Sequence, residues 1–508
     1  VLAIVAAAFF GIQYFMGSDM GRDLIEQADS GDSGSSSSSS AATSTGGSRS
    51  DDVIKIGVVT WGGYAGGQYF NEGFRNNSQS RFKKEYGIDV EFVLNDDVDA
   101  SLNAWKKGDI DLHWYTIDAF PTIIGGLKDF DPVVLWQADW SRGGDAIVAR
   151  RGINSVADLK GKKIAVAELT PSHSFLLYLL EAGNLKISDV EIVSQASAVD
   201  AAAAFKSNSV DAAVVWSPDD EQCVRAVSGA RILESTRNAS NIIADFFFAK
   251  RDFVRNNQDK LNKLYEGWMK GASEINNNAS NKQKAAKILA EGLNIPEGDA
   301  LASINNVRLV THGDNLNFFG LNTDYKGITG EDLYRRMTDE YKRLGFAEGS
   351  VPSWNRIRDT RAVQSSSLTG AEHDAEGQKV FAKATKEDET KEAIATKPVS
   401  INFRTGEFQL DENAKYIIDK EFVEIAKAFA NSRIRIEGNT DNVGSESSNI
   451  RLSKKRAQSV ADYLINEHNM PQNRFIIVGN GPNKPLASNS TAEGKAQNRR
   501  TDFQLVAD

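Results

Sequence analysis

Apolar and polar positions divide the chain into stretches of different texture. Val1–Gly17 (VLAIVAAAFFGIQYFMG) is an uncharged apolar run. A membrane-spanning helix needs about 20 such residues. The run is read as a transmembrane helix completed by residues before Val1, which is not a Met; a cleaved signal segment and a buried helix are the alternatives. Residues 18–50 include DSGDSGSSSSSSAATSTGGSRS, a Ser/Gly-rich linker with almost nothing to bury. From Val53 the texture becomes globular. Val53–Thr60 (VIKIGVVT), Ile88–Leu94, Ile110–Tyr115, Ile164–Ala167, Glu191–Val193 and Ala212–Trp216 are short apolar runs of strand type. Amphipathic stretches such as Tyr69–Tyr86, Ser174–Gly183 and Asp200–Lys206 separate them. This alternation predicts parallel α/β layers through 51–347. Residues 348–396 are charged and poor in apolar positions, as in HDAEGQKVFAKATKEDETKEAIATK, and read as a second linker. Residues 397–508 form another strand–helix unit.

Composition narrows the chemistry. Of 508 residues, 41% are apolar and 25% charged, enough to bury cores. The net charge of −10 argues against nucleic acid as the main partner, because phosphate binding needs a basic surface. Cys223 is the single cysteine, which excludes an intrachain disulfide and any Cys-rich metal site. The five histidines, at 113, 173, 312, 373 and 468, show no HExxH or paired-ligand spacing. Neither a metal nor a cofactor is expected.

Three blocks stand out near the C-terminus: Gly438-Asn-Thr-Asp-Asn-Val-Gly444, Asn449-Ile-Arg-Leu-Ser-Lys-Lys-Arg-Ala457, and Ala487-Ser-Asn489 followed by Glu493-Gly494 and Asn498-Arg-Arg500. A strand, Ile434–Glu437, ends in a Gly/Asn/Asp turn, and Ser447–Asn449 caps a following helix. The three blocks, in this order, resemble the OmpA-like peptidoglycan-binding domain, an α/β unit of β-α-β-α-β type. The resemblance implies that Asp441 and Arg456 grip the ammonium and carboxylate of a diaminopimelate residue in a wall stem peptide, chemistry that suits an Asp and a forked Arg. Thr440, Asn449 and Arg500 would add hydrogen bonds. Asn439 stands where most of that family has His. From spacing alone, Asp441 could equally cap a turn and Arg456 be a solvated helix charge.

Residues 51–347 resemble a type II periplasmic substrate-binding protein of the nitrate/sulfonate/thiamine-precursor group. Ile153–Ala165 (INSVADLKGKKIA), Val210-Asp-Ala-Ala-Val214 and Thr60-Trp-Gly-Gly-Tyr64 carry the likeness. It implies two α/β lobes, 53–145 with 248–347 and 146–247, joined by two crossings near Gly144–Arg150 and Ile243–Lys250. A small ligand would sit in the crevice at the strand ends. Trp61, Tyr64, Thr116, Asp118, Asp145, Ser172, His173, Ser174, Trp216 and Asp219 are the candidates. The Thr170–Ser174 group offers an anion seat at a helix start, and the mixture suits a polar or zwitterionic ligand. The alternatives are that the aromatics only pack the crevice walls, that His173 is a helix-start residue alone, and that Asp145 and Asp219 are hinge or cap carboxylates.

Together these readings describe a binding protein rather than an enzyme. A periplasmic receptor would be tethered to the inner membrane of a Gram-negative-type cell and anchored to peptidoglycan, with an ABC permease or a motor-type membrane partner. The alternative is a stator-like subunit of an ion-driven motor; Val1–Gly17 lacks the acidic residue such helices carry. Enzymes of the same fold carry a Cys-rich motif that a chain with Cys223 alone cannot supply.

Overall fold

The computed structural model describes residues 52–508 except 348, 402, 404 and 405. The apolar run Val1–Gly17 and the Ser/Gly tract lie outside the described residues. Among the described residues no helix is long and apolar enough to cross a membrane.

Strand β1 (Val53–Val58) is β-branched and largely buried, and it pairs in parallel with β2 (Asp89–Leu94) and β3 (Leu112–Thr116). The long β4 (Pro132–Ser141), buried throughout, closes the outgoing half of this first lobe. The chain crosses at Arg142–Gly144 into a second lobe built on β5 (Asp145–Ala149), β6 (Lys163–Ala167), β7 (Glu191–Gln195), β8 (Ala212–Trp216) and β9 (Arg231–Ser235), ordered β7-β6-β8-β5-β9. It returns as β10 (Ala244–Lys250) and β11 (Val307–Leu309), giving the first sheet the order β11-β4-β10-β3-β1-β2.

The sheets are mixed, not all parallel as the alternation predicted. β5 and β10 run antiparallel to both of their neighbours. Each directly follows a crossing without an intervening helix, so it enters its sheet from the opposite end. For the same reason the crossings precede the positions expected from sequence: 145–149 and 244–250 are themselves strands.

The stretch 348–396, expected as a linker, is largely wall-mounted on the first lobe. Trp354 is buried, with its ring centroid 5.9 Å from those of Phe318 and Phe319 and 6.0 Å from Tyr334. Ile357 and Val363 are also buried, and Arg358 makes a bridge to Val134 in β4. A few well-placed large side chains suffice to seat a segment whose average composition is polar. We therefore expect trypsin under native conditions to leave Arg356, Arg358 and Arg361 uncut. Rapid cleavage there would mean that the segment is not seated.

The last unit has its own sheet. β12 (Ala395–Val399), β13 (Arg433–Asn439), β14 (Phe475–Gly481) and β15 (Thr501–Val506) are ordered β12-β15-β13-β14. The topology is one helix–strand step longer than the expected β-α-β-α-β, because the helix Ala492–Asn498 feeds β15 antiparallel between β12 and β13. The unit touches the second lobe and its return crossing. Val156 N donates to Ile394 O at 2.9 Å, and Asn241 N to Ala428 O at 3.0 Å. Glu181 joins three segments, pairing with Arg336 at 2.5 Å and lying 3.5 Å from Lys397 of β12.

Candidate functional site

Strand ends from both lobes converge on a cavity of about 20 Å³, room for about one water. β1 leads into Trp61. β3 supplies Trp114 and Thr116, β5 starts with Asp145, β8 ends in Trp216, and β10 contributes Asp245. Two glycines make the packing feasible. A Cβ on Gly63 would overlap the Asp139 carboxylate, and one on Gly144 would overlap the Trp61 indole. The Trp61 indole N–H donates to Asp139 Oδ2 at 3.0 Å, and the Tyr64 hydroxyl to Asp245 Oδ2 at 2.5 Å. Ser141 donates to Asp145 Oδ2 at 2.7 Å and meets Thr236 at 2.8 Å, tying the two crossings together.

Four carboxylates, Asp118, Asp139, Asp145 and Asp245, are buried here. Burial raises Asp118 to about 7, against opposing help from the neighbouring Ser174 and Thr116 hydroxyls. Neither Asp118 oxygen accepts a hydrogen bond of ordinary geometry. Burial raises Asp145 to about 7 and Asp139 to about 8, the latter with repulsion from Asp145. Asp245 is pushed well above the ordinary range by burial and by the adjacent Asp139 charge. Asp139 Oδ1 is also buried without a partner, and Thr116 Oγ1 makes no bond of ordinary geometry. No Lys or Arg is among the described residues lining the cavity.

Trp61, Thr116, Asp145 and Trp216 thus meet at the cavity, with Tyr64 and Asp118 in its surroundings. The anticipated anion seat is already occupied by internal contacts. Ser172 Oγ accepts the Trp216 indole N–H at 3.0 Å, and Ser174 is bonded to the Tyr341 hydroxyl at 2.8 Å. His173 is fully buried against Tyr341 and Phe346, and burial keeps it neutral by lowering its pKa. Asp219 begins the helix Asp219–Ala226 and lies 3.4 Å from Lys206, outside the cavity.

The second candidate site follows β13. Asp441 closes a turn by accepting from Val443 N at 3.0 Å, while its Oδ2 accepts from Arg499 at 2.8 Å. Partial burial alone would raise its pKa; Arg499 and the Val443 amide outweigh that and hold it below the usual value. Ser445 caps the helix Glu446–His468 through Ser448 N at 3.3 Å. This start is a turn earlier than the spacing suggested, so Arg456 sits about three turns in. Arg456 donates to Glu407 O at 3.0 Å, with its guanidinium 4.8 Å from the Phe403 ring centroid. Burial and the Arg499 charge lower its pKa while the Asp441 charge opposes them. Thr440 Oγ1 donates to Asp441 O at 2.8 Å, and Asn449 Nδ2 to Val443 O at 3.0 Å. Arg500 is bonded instead to Asp502 at 2.9 Å, and Asn439 lies beneath the turn, donating to Asp502 at 3.0 Å.

Residues 402–499 match the OmpA family. Residues 79–281 match the NMT1/THI5 like family. The chain is 34% identical over 110 residues to outer membrane porin F of Pseudomonas aeruginosa, covering 22% of this chain and 31% of that protein. It is 44% identical over 90 residues to peptidoglycan-binding protein ArfA of Mycobacterium tuberculosis, covering 18% and 27%. The chain spans between 27% and 49% of the length of these and an outer membrane protein A of Bordetella avium. The periplasmic aliphatic sulphonate binding protein SsuA of Escherichia coli aligns with a TM-score of 0.49 at 20% identity, over 62% of this chain and 99% of that one.

Sequence reasoning did not find Asp139, Asp245, Trp114 or Arg499. Asp245 lies inside the anticipated second crossing, so its neighbourhood was visible although its role was not. Asp139 is the one charged residue in a buried strand that is apolar but for Gln137 and Ser141, and that charge is the local signal. Arg499 and Arg500 are adjacent in sequence, and only the pairing of β15 decides which one faces Asp441.

Proposed function

We propose that the chain is a solute receptor of the cell envelope, held at the wall by its OmpA-family domain. The observation that carries this reading is the convergence of Trp61, Thr116, Asp145, Trp216 and Asp245 at the ends of strands from two lobes. The likeness of the last domain to a protein named as peptidoglycan-binding supports the anchor, as does the presence of opposite charges, Asp441 and Arg456, near enough beyond a β-strand end to act on one another. The ligand is small and polar, and the role is capture for uptake or sensing rather than turnover. The apolar run Val1–Gly17 would add a tether at the inner membrane, placing the receptor in the periplasm between membrane and wall.

The cavity holds about one water, so any larger ligand must move the lobes from this arrangement. Binding should change tryptophan fluorescence, because Trp61, Trp114 and Trp216 line the cavity. Trp61→Ala should weaken binding by about 1–3 kcal/mol, as for a buried aromatic anchor, and it also strips Asp139 of a hydrogen-bond donor. Titration of the full chain with ligands found by a thermal-shift screen tests this. Unchanged affinity in the variant would leave Trp61 as packing only.

A further inference from the structure

Resting on the receptor reading above, we infer that the cleft takes a small organic cation, an ammonium bearing methyl or short alkyl groups. Every ionisable side chain among the described residues lining the cavity is acidic. Asp145 and Asp245 line it, and Asp118 and Asp139 stand immediately behind them. The ionisable side chains around these carboxyls include Tyr64, Tyr115 and Tyr341, kept neutral by burial as is the nearby His173, together with Asp220 and Arg142. Asp220 adds to the negative field, and Arg142, the one cation felt at Asp139, is shared with Glu376 at 2.7 Å.

An acidic cluster alone would not identify a ligand. Two further observations do. Asp139 Oδ1, behind the cavity wall, is buried without a hydrogen-bond partner, and Thr116 Oγ1, at the wall, makes no bond of ordinary geometry and has the Asp118 carboxyl beside it, so polar groups stand ready for a ligand. The remaining wall is indole: Trp61, Trp114 and Trp216 line the same space. Aromatic faces attract a weakly hydrated ammonium, most strongly when the site is desolvated. A sulfonate or nitrate would meet these carboxylates with no lysine or arginine among the described lining residues. An inorganic ion fits less well, since no three acidic, thiol or imidazole groups among the described residues converge closely enough to hold a metal.

Ionisation and binding are then linked. In the ligand-free protein, burial favours the protonated carboxyls; a bound cation favours the carboxylate, so binding releases protons. Affinity should rise about tenfold per pH unit between about pH 5 and 7 for each proton released, and level off above about pH 8.

The test is isothermal titration of the full chain with tetramethylammonium and choline, beside methanesulfonate, nitrate and potassium. Repeating it at three pH values in two buffers of different ionisation enthalpy counts released protons. The ammonium probes should bind, with proton release, and Asp145→Asn and Trp216→Ala should each weaken them at least tenfold. Trp216 is only half-buried, so its truncation keeps the test open should the Asp145 variant fail to fold. Binding of methanesulfonate or nitrate that Trp216→Ala abolishes would overturn the cation and leave the receptor reading standing. Ammonium binding that neither variant changes would place the cation elsewhere and count against the cleft itself. No binding by either ammonium probe, or equal binding of potassium, overturns the inference.

Discussion

Full-length protein carrying Asp441→Ala or Arg456→Ala should no longer co-sediment with purified peptidoglycan. In this structure Asp441 is satisfied by Arg499 and the Val443 amide, and Arg456 by Glu407 O and the Phe403 ring. A stem-peptide zwitterion would replace the Arg499 contact with its ammonium and take the Arg456 fork with its carboxylate. Removing either partner leaves a charge of the ligand unmatched in a partly desolvated site, a loss of about 2–5 kcal/mol, or roughly thirtyfold to several thousandfold in affinity. Arg499→Ala should do the opposite or little, because it frees Asp441 for the ligand. Both alanine variants pelleting as well as the parent protein would show that the wall is gripped elsewhere, and a loss confined to Arg499→Ala would move the site.

Stability should fall as pH rises from about 4 to about 7, and Asp118→Asn should remove part of that fall. The pKa of Asp118 is raised from 3.8 to about 7 by burial. The folded state therefore binds the proton more tightly than the unfolded chain. The stability contributed is fully present below about pH 4 and is lost between about pH 4 and 7 as the unfolded carboxyl ionises first. A shift of this size corresponds to an upper limit on the order of 4 kcal/mol. Asn keeps the shape and carries no charge. The variant should melt several degrees higher than the parent at pH 8 and about equally at pH 4. Asp131, Asp158 and Asp508, whose pKa values are lowered, act in the opposite sense only below the ordinary carboxylate range, so the two windows separate. Equal melting of parent and variant at pH 8 would mean that water reaches Asp118 when it ionises. A gain at pH 8 would show stability given up to keep four acids in the cleft, as functional sites commonly require.

Local pattern was enough for some of this. The apolar runs marked seven of the fifteen strands among the described residues, β1, β2, β3, β6, β7, β8 and β13, since burial leaves an apolar signature, a continuous one where both faces are covered; β5 and β10, equally apolar, read as crossings. The turn after Ile434–Glu437 and the helix carrying Arg456 lie within one short stretch of chain, so the Asp441 and Arg456 candidates could be named from the motif blocks and the family they resemble, though not from spacing alone. Tertiary structure decided what depends on distant partners. Trp354 appeared to lie in a charged linker because composition averages over neighbours, whereas its groove is built from Phe318, Phe319 and Tyr334. Ser172 and Ser174 looked like free donors at a helix start until Trp216 and Tyr341 were seen to take them. Asp139 and Asp245 lie more than a hundred residues apart, and no periodicity links them; the pairing of β4 with β10 sets them directly opposite one another. Those seven strands follow from the sequence because hydrophobic burial acts residue by residue along the chain. The charge of the cleft needed the folded chain, because an acid's protonation depends on the water excluded around it and on other acids that only the fold brings near.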